Sequence, residues 1–200
     1  MTNIDHAREY LRGLQRLLDE VDLASVGRVF QLLREARDRG ARVFVAGNGG
    51  SAATASHWVN DLGKATKRSG CAPFQVMSLS DNVPWLTALA NDEGFERAFS
   101  GQLENFGRRN DLLVVISASG NSRNLICAVE LACSLGMTTI AFLGFDGGLL
   151  KDKVDEVVLI RTERGQYELV EDAHGALCHV LTTSLVKDRP VAKAAFRSNQ

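Results

Sequence analysis

The sequence lacks a long apolar run and an excess of charge of either sign. No window approaches the ~20 apolar residues that a membrane-spanning helix requires. The 23 basic and 24 acidic residues nearly cancel, which leaves a formal net charge of −1. A balanced chain has no general attraction for nucleic acid or for an anionic membrane. We therefore expect neither as a partner, and an anionic ligand would have to be held by a local site.

Cysteine and proline are also scarce, with four and three residues. The cysteines form no Cys-x-x-Cys pair and lie mostly in apolar stretches, where a thiol behaves as a small hydrophobic group. We expect them to be reduced and structural. They are Cys71, Cys127, Cys133 and Cys178.

The first residues lack the apolar segment of a secretory signal peptide, since four of the first twelve are charged. The predicted location is the cytoplasm. A length of 200 residues, 45% of them hydrophobic, without a linker rich in Pro or Gly, predicts one domain. We expect this domain at residues 1–187 and a C-terminal tail at 188–200, where apolar periodicity is absent.

Five short apolar runs alternate with stretches that have helical spacing of apolar residues. Three of the runs lack the polar alternation of a sheet with one wet face, which is typical of strands covered on both sides. The pattern predicts an α/β fold, a three-layer α-β-α sandwich doubly wound around a parallel sheet. The predicted strands are 42–46, 74–79, 111–116, 138–143 and 156–160, and the helices between them 51–62, 82–89, 95–106 and 121–135.

Two amphipathic helices are predicted ahead of the first strand, at 4–18 and 23–38. Nothing in a sandwich that begins with a strand requires them. We expect them to cover a sheet edge or to pack against another subunit.

Two loops rich in glycine and serine follow strands of the predicted sheet. The first is Gly47-Asn48-Gly49-Gly50-Ser51, and the second runs from Ser117 to Ser122. Loops of this kind line the ligand crevice of an open parallel sheet. Glycine lets the backbone approach a ligand, and the following helix N-terminus offers free N–H groups to an anion. Both loops are candidate phosphate sites, although tight turns also favour these residues.

Neither loop is a nucleotide motif. Gly-Lys-Ser/Thr is absent, and the glycine spacing does not fit Gly-x-Gly-x-x-Gly. We expect no nucleotide cofactor.

Four titratable residues are candidates for chemistry. His57 and Asp61 share one face of the helix after the first loop. Glu171 and His179 are eight residues apart on a late helix, about 80° around its axis, so both can face one cavity. Together the four could hold a divalent metal such as zinc or divide acid and base work. A carboxylate and an imidazole suffice to isomerise a sugar through an enediol.

The spaced motifs resemble the SIS-domain sedoheptulose 7-phosphate (phosphoheptose) isomerases over nearly the whole chain, to about residue 187. The resemblance implies a five-stranded flavodoxin-like sheet and a homotetramer with active sites between subunits. The matching motifs are Gly47 to Ser51 followed by His57, Asn91-Asp92-Glu93-Gly94, Ser117 to Ser122, Phe145-Asp146-Gly147-Gly148, and Glu171 to His179.

The resemblance also implies roles for residues. By this resemblance, the catalytic residues are Asp61, Glu171 and His179. One zinc ion per subunit would be bound by His57, Asp61, Glu171 and His179. The implied substrate is sedoheptulose 7-phosphate, and the product is D-glycero-D-manno-heptose 7-phosphate for heptose biosynthesis. The implied substrate-binding residues are Asn48, Gly49, Gly50, Ser51, Asn91, Asp92, Ser117, Ala118, Ser119, Ser122, Glu168 and Glu171.

The chain departs from the family pattern at the chemistry. Asp61 stands where the family commonly has Glu, and Glu171 where it has Gln. Glu168 replaces an Asp, and Ala65 replaces an arginine. Both candidate helices then carry a carboxylate, which favours a divalent ion.

Two other functions stay open from the sequence. One is a non-catalytic SIS protein that binds a phosphosugar or a replication initiator, although the initiator-binding paralogue lacks the late histidine that is His179 here. The other is an isomerase of a different sugar phosphate.

Overall fold

The structure, a computed structural model, describes residues 2–67 and 71–188. A five-stranded parallel sheet has the order β2-β1-β3-β4-β5. All five predicted apolar runs are strands, so the expected doubly wound α/β sandwich is confirmed. The strands are β1 (Arg42–Gly47), β2 (Gln75–Ser78), β3 (Leu112–Ser117), β4 (Thr138–Gly144) and β5 (Glu156–Ile160).

Seven α-helices cover this sheet in the described part of the chain. The third continues into a π-helical turn at Asp61–Ala65, which the apolar pattern did not predict. The helices are α1 (Asn3–Asp19), α2 (Leu23–Arg39), α3 (Gly50–Asn60), α4 (Val83–Asp92), α5 (Arg97–Phe106), α6 (Arg123–Ser134) and α7 (Tyr167–Lys187).

The core has one apolar layer on each face of the sheet, because successive strand side chains point to opposite faces. Val43 and Val45 of β1 belong to the layer beneath α2, α3 and α7, whereas Phe44 and Ala46 belong to the layer beneath α5 and α6. Trp58 of α3 is fully buried in the first layer. The helices that carry the candidate residues are thus fixed by packing.

The two leading helices differ in how they pack. α2 buries Val29 and Leu33 in the core and contacts α7 and β5. α1 buries no residue and rests on α7, where Tyr10 donates a hydrogen bond of 2.7 Å to Asp172. Partial burial and this carboxylate raise the pKa of Tyr10 to about 12. The apolar side chains of Ile4 and Leu11 remain exposed on α1.

The remaining expectations concern the end of the domain, membrane-spanning helices and the cysteines. The final helix ends at Lys187, near the predicted end of the domain. Residues 189–200 of the predicted tail lie outside the described part of the chain. The division into a domain and a tail therefore stays a prediction. No helix of the described residues has the length and apolar character to cross a membrane. Within residues 2–67 and 71–188 the four cysteines form no disulfide, and Cys178 is the buried one among them.

Candidate active site

The two predicted loops lie side by side at one edge of the sheet. β1 and β3 are neighbouring parallel strands, with Gly47 opposite Ile116. Each strand therefore delivers its loop to the same carboxyl edge, where α3 begins within the first loop, at Gly50, and α6 begins directly after the second, at Arg123. The loops enclose a cavity of about 220 Å³. Its polar lining comprises Asn48, Ser51, Ser117, Ser119 and Ser122, joined by Tyr167 and Glu171 from α7.

The serine-rich loop holds its hydroxyl groups in fixed positions. Ser117 Oγ accepts a hydrogen bond from the backbone N–H of Gly120 at 3.1 Å, and Ser119 Oγ accepts one from Asn121 at 3.3 Å. Each hydroxyl keeps its proton free for donation, because a serine oxygen can accept and donate at once. Ser122 precedes α6 without a side-chain capping bond. The loop can therefore donate several hydrogen bonds to one anion.

The Phe145–Gly148 turn supports this loop from behind. Leu150 donates its backbone N–H to the carbonyl oxygen of Gly120 at 3.0 Å, and Leu149 donates to Asn121 Oδ1 at the same distance. A Cβ on Gly120, which has φ +63°, would overlap the carbonyl oxygen of Gly147. Only glycine permits this approach, which explains why the two motifs occur together.

Glu171 is a residue of α7, and its side chain lies in the cavity next to the start of α3. Its carboxylate occupies the space that a Cβ on Gly50 would fill. Partial burial, and then the negative charges of Glu168 and Asp172, raise the pKa of Glu171 above its ordinary value. A carboxylate with a raised pKa is a stronger base than an exposed one. The structure thus places Glu171, one of the predicted substrate-binding residues, against the first loop.

His57, Asp61 and His179 form a separate cluster. His57 Nε2 lies 3.6 Å from Asp61 Oδ2, His179 Nε2 lies 3.5 Å from the same oxygen, and the two Nε2 atoms are 3.4 Å apart. Both histidine side chains are more than half exposed, at 60% and 56%. Asp61 begins the π-helical turn, a feature that often marks functional sites.

The cluster fits a tetrahedral metal. Two ligands bound at about 2.0–2.2 Å with tetrahedral angles lie about 3.3–3.6 Å apart, which is the range of the three separations. The donor set of two imidazoles and one carboxylate is typical of catalytic zinc, which keeps a fourth position open. Glu171, the fourth predicted ligand, is not a member of this group of mutually close donor atoms.

His174 is a structural histidine. It is fully buried between the sheet and α7, with Nε2 3.2 Å from the carbonyl oxygen of Leu143. Burial lowers its pKa to about 4, so the ring is neutral at neutral pH. The late helix thus directs His174 into the core and His179 outward.

Five predicted substrate residues do not line the cavity. Two of them, Gly49 and Gly50, belong to the first loop beside it, and the other three lie apart from it. Asn91 and Asp92 are exposed at the C-terminal end of α4, where their side chains hydrogen-bond each other. Glu168 is exposed in the first turn of α7. None of the three lines the cavity of this single chain. Their roles stay predictions.

Two residues of the site were missed from the sequence. Tyr167 lines the cavity and packs edge-on against Phe145. Asn124 forms two hydrogen bonds with Asn48, the second residue of the first loop. An asparagine near a helix start is common for capping alone, so the sequence carried no signal for a contact across 76 residues.

The comparison with family models decides the family. The SIS-domain model matches residues 9–144, more than half of the chain. The chain belongs to the SIS-domain family. Among curated relatives, this SIS domain is 35% identical over 173 residues to a phosphoheptose isomerase of Chlorobaculum parvum, covering 86% of this chain and 82% of the relative.

Solved structures of phosphoheptose isomerases share the whole fold of this SIS domain. The enzyme from Francisella tularensis has a TM-score of 0.82 at 26% identity, covering 94% of this chain and 100% of that chain. The enzyme GmhA from Neisseria gonorrhoeae has a TM-score of 0.81 at 30% identity, covering 92% and 97%. The predicted membership in the phosphoheptose isomerase group of SIS domains is confirmed.

The contact between Gly50 and Glu171 generates a prediction about stability. We expect Gly50→Ala to lower the free energy of unfolding by about 1 kcal/mol, because the new Cβ overlaps the carboxylate and the SIS domain must move it aside. Urea denaturation of the two proteins measures the difference.

The matched control is the same substitution in a Glu171→Ala background, where the space is vacated and Gly50→Ala should be neutral or stabilising. An equal loss of stability in both backgrounds would show that Glu171 does not occupy this space.

Proposed function

We propose that this protein is an aldose–ketose isomerase that converts sedoheptulose 7-phosphate to D-glycero-D-manno-heptose 7-phosphate in heptose biosynthesis. The observation that carries the proposal is that one cavity combines a serine-rich loop, suited to a phosphate, with the carboxylate of Glu171. Relatives named phosphoheptose isomerase over most of the chain support the choice of a heptose as the sugar.

The phosphate group would lie against the loop from Ser117 to Ser122. Its hydroxyl groups are held by backbone N–H bonds and need no rearrangement to donate. The N-terminus of α6 adds its free N–H groups and partial positive charge. A neutral loop of this kind binds a phosphate without a lysine, and the cavity lining contains no lysine or arginine in the described residues.

Proton transfer is assigned to Glu171. Isomerisation moves a proton from C1 to C2 of the ketose and another from O1 to O2, through an enediol. Glu171, as the carboxylate in the cavity, would take the proton from C1 and return it to C2. Its raised pKa suits a group that must both accept and release a proton. Asp61, held between two histidines, is less available for this role.

A divalent ion, zinc by the donor set, would be held by His57, Asp61 and His179. Bound there, it would supply Lewis acidity toward a substrate oxygen. With no ion bound, the imidazole of His179 would exchange a proton with a substrate oxygen, and Asp61 would orient that ring. Glu171 remains the base in both cases.

A homotetramer with sites between subunits fits the exposed parts of this chain. Both histidines of the metal cluster are more than half exposed, and α1 presents Ile4 and Leu11 to solvent. Exposed apolar side chains on an amphipathic helix favour contact with another subunit. A neighbour could also bring further residues to the open side of the site.

The activity test compares two isosteric variants. The wild-type protein should interconvert sedoheptulose 7-phosphate and its aldose, and Glu171→Gln should lower kcat/KM by about 10²–10⁴-fold, the usual contribution of a general base. Because the pKa of Glu171 is raised, activity should fall with decreasing pH at a point above the ordinary 4.5, and this acid limb should vanish in Glu171→Gln.

Asp61→Asn is the matched control, since it should reduce activity while keeping the acid limb. If Glu171→Gln retains activity and Asp61→Asn loses the limb, Asp61 is the base. If the wild-type protein is inactive with sedoheptulose 7-phosphate but active with another ketose phosphate, the proposed substrate is wrong. Inactivity with all of them overturns the reaction.

Metal binding can be measured by thermal unfolding, since a ligand that binds only the folded state stabilises it by about 2.7 kcal/mol at 100 times its dissociation constant. We expect zinc to raise the melting temperature of the wild-type protein by several °C. The gain should be lost in His179→Ala and kept in His6→Ala, which removes a histidine outside the cluster. Equal gains in both variants would contradict the site.

The assembly is tested by light scattering coupled to size-exclusion chromatography. We expect a mass near four times 21.7 kDa. Replacing Leu11 by Glu should shift the distribution toward smaller species, because a charge would be buried in the contact. A wild-type protein that elutes as a monomer contradicts the tetramer.

A further inference from the structure

Asn124 connects the two loops of the site. It is the second residue of α6, directly after the serine-rich loop, and is 2% exposed. Its Nδ2 donates to Asn48 Oδ1 at 2.9 Å, and its Oδ1 accepts from Asn48 Nδ2 at 3.0 Å. We propose that Asn124 is a positioning residue, which sets the orientation of the Asn48 amide for the sugar phosphate.

The orientation of the Asn124 amide is fixed by the backbone. The N–H of Leu125 donates to Asn124 Oδ1 at 2.9 Å and, more weakly, to the carbonyl oxygen of Ser122 at 3.1 Å. A backbone N–H can pair only with an acceptor, so the oxygen must lie on that side and the nitrogen on the other. This bond favours one of the two orientations that an asparagine amide can take.

The pairing passes this orientation on to Asn48. Asn48 must direct its nitrogen to the oxygen of Asn124 and its oxygen to the nitrogen of Asn124. A flipped Asn48 would place two oxygens and two N–H groups face to face. The bond from Leu125 to Asn124 therefore disfavours the flip of Asn48.

Asn48 retains groups for a ligand. Each amide nitrogen has two protons and each amide oxygen two lone pairs, so one of each remains on Asn48 after the pairing. Asn48 lines the cavity together with Ser117, Ser119 and Glu171. A hydroxyl of the sugar could accept from that N–H or donate to that oxygen. By orienting the Asn48 amide, Asn124 determines which side of it presents the donor and which presents the acceptor.

The role can be separated from a merely structural one by a double-mutant cycle. The inference rests on the proposed function, so kcat/KM for sedoheptulose 7-phosphate is measured in the wild type, Asn48→Ala, Asn124→Ala and the double variant. If Asn124 acts through Asn48, each single substitution lowers kcat/KM by about tenfold or more and the double variant is no worse than Asn48→Ala.

Two further variants sharpen the cycle. Asn124→Asp keeps the shape and the acceptor for Leu125 but lacks the donor for Asn48 Oδ1, so we expect it to lower kcat/KM as Asn124→Ala does. Ser134→Ala removes a polar side chain from the exposed far end of the same helix and should leave kcat/KM unchanged. Circular dichroism and melting temperature establish that each variant is folded.

The affinity for inorganic phosphate provides a second readout. Phosphate is held by the serine-rich loop in our proposal, so its dissociation constant should change by less than about twofold in Asn124→Ala while sugar phosphate turnover falls. The positioning role is overturned if the losses of kcat/KM in the two single variants multiply in the double variant. It is also overturned if Asn124→Ala loses as much affinity for phosphate as it loses in kcat/KM. An inactive wild type overturns the proposed function instead, and the cycle is then measured on sedoheptulose 7-phosphate binding by calorimetry, where absence of binding overturns the positioning role too.

Discussion

The parallel pairing of β1 with β3 is the constraint on which the site depends. Because the two strands run side by side in the same direction, the glycine loop and the serine loop emerge at one edge, although 70 residues separate them in the chain. Two βα turns that would be ordinary alone become one cavity. The switch of strand order between β1 and β3 provides the opening, as in other doubly wound sheets.

The last helix supplies residues to two parts of the proposed site. α7 is anchored by a buried apolar side that includes Val170, Leu177 and Leu181. Glu171 and His179 are eight residues apart, which corresponds to about 12 Å along the axis. The helix therefore delivers a carboxylate to the cavity and an imidazole to the cluster with His57, and these two parts of the proposed site lie at different positions along its length.

Most of the fold could be predicted from the sequence, because apolar runs and helical spacing report burial directly. β2 is shorter than its apolar run, and α5 begins two residues later than expected, since strand and helix ends depend on hydrogen bonds that a pattern does not show. The pair of His57 and Asp61 was visible as a four-residue spacing. The angular argument that joined Glu171 to His179 ignored their distance along the axis, and so predicted one cluster of four where the structure groups three.

The contact between the serine loop and the Phe145–Gly148 turn has a consequence for ligand binding. Gly120 and Gly148 meet backbone to backbone at a distance that admits no side chain, so the loop is braced by β4 and the turn after it. A braced loop is preorganised: it loses little conformational entropy when an anion arrives, and more of the interaction energy appears as affinity. The same bracing means that the loop can be loosened only together with the turn, so evolution of a different ligand would have to change both motifs at once.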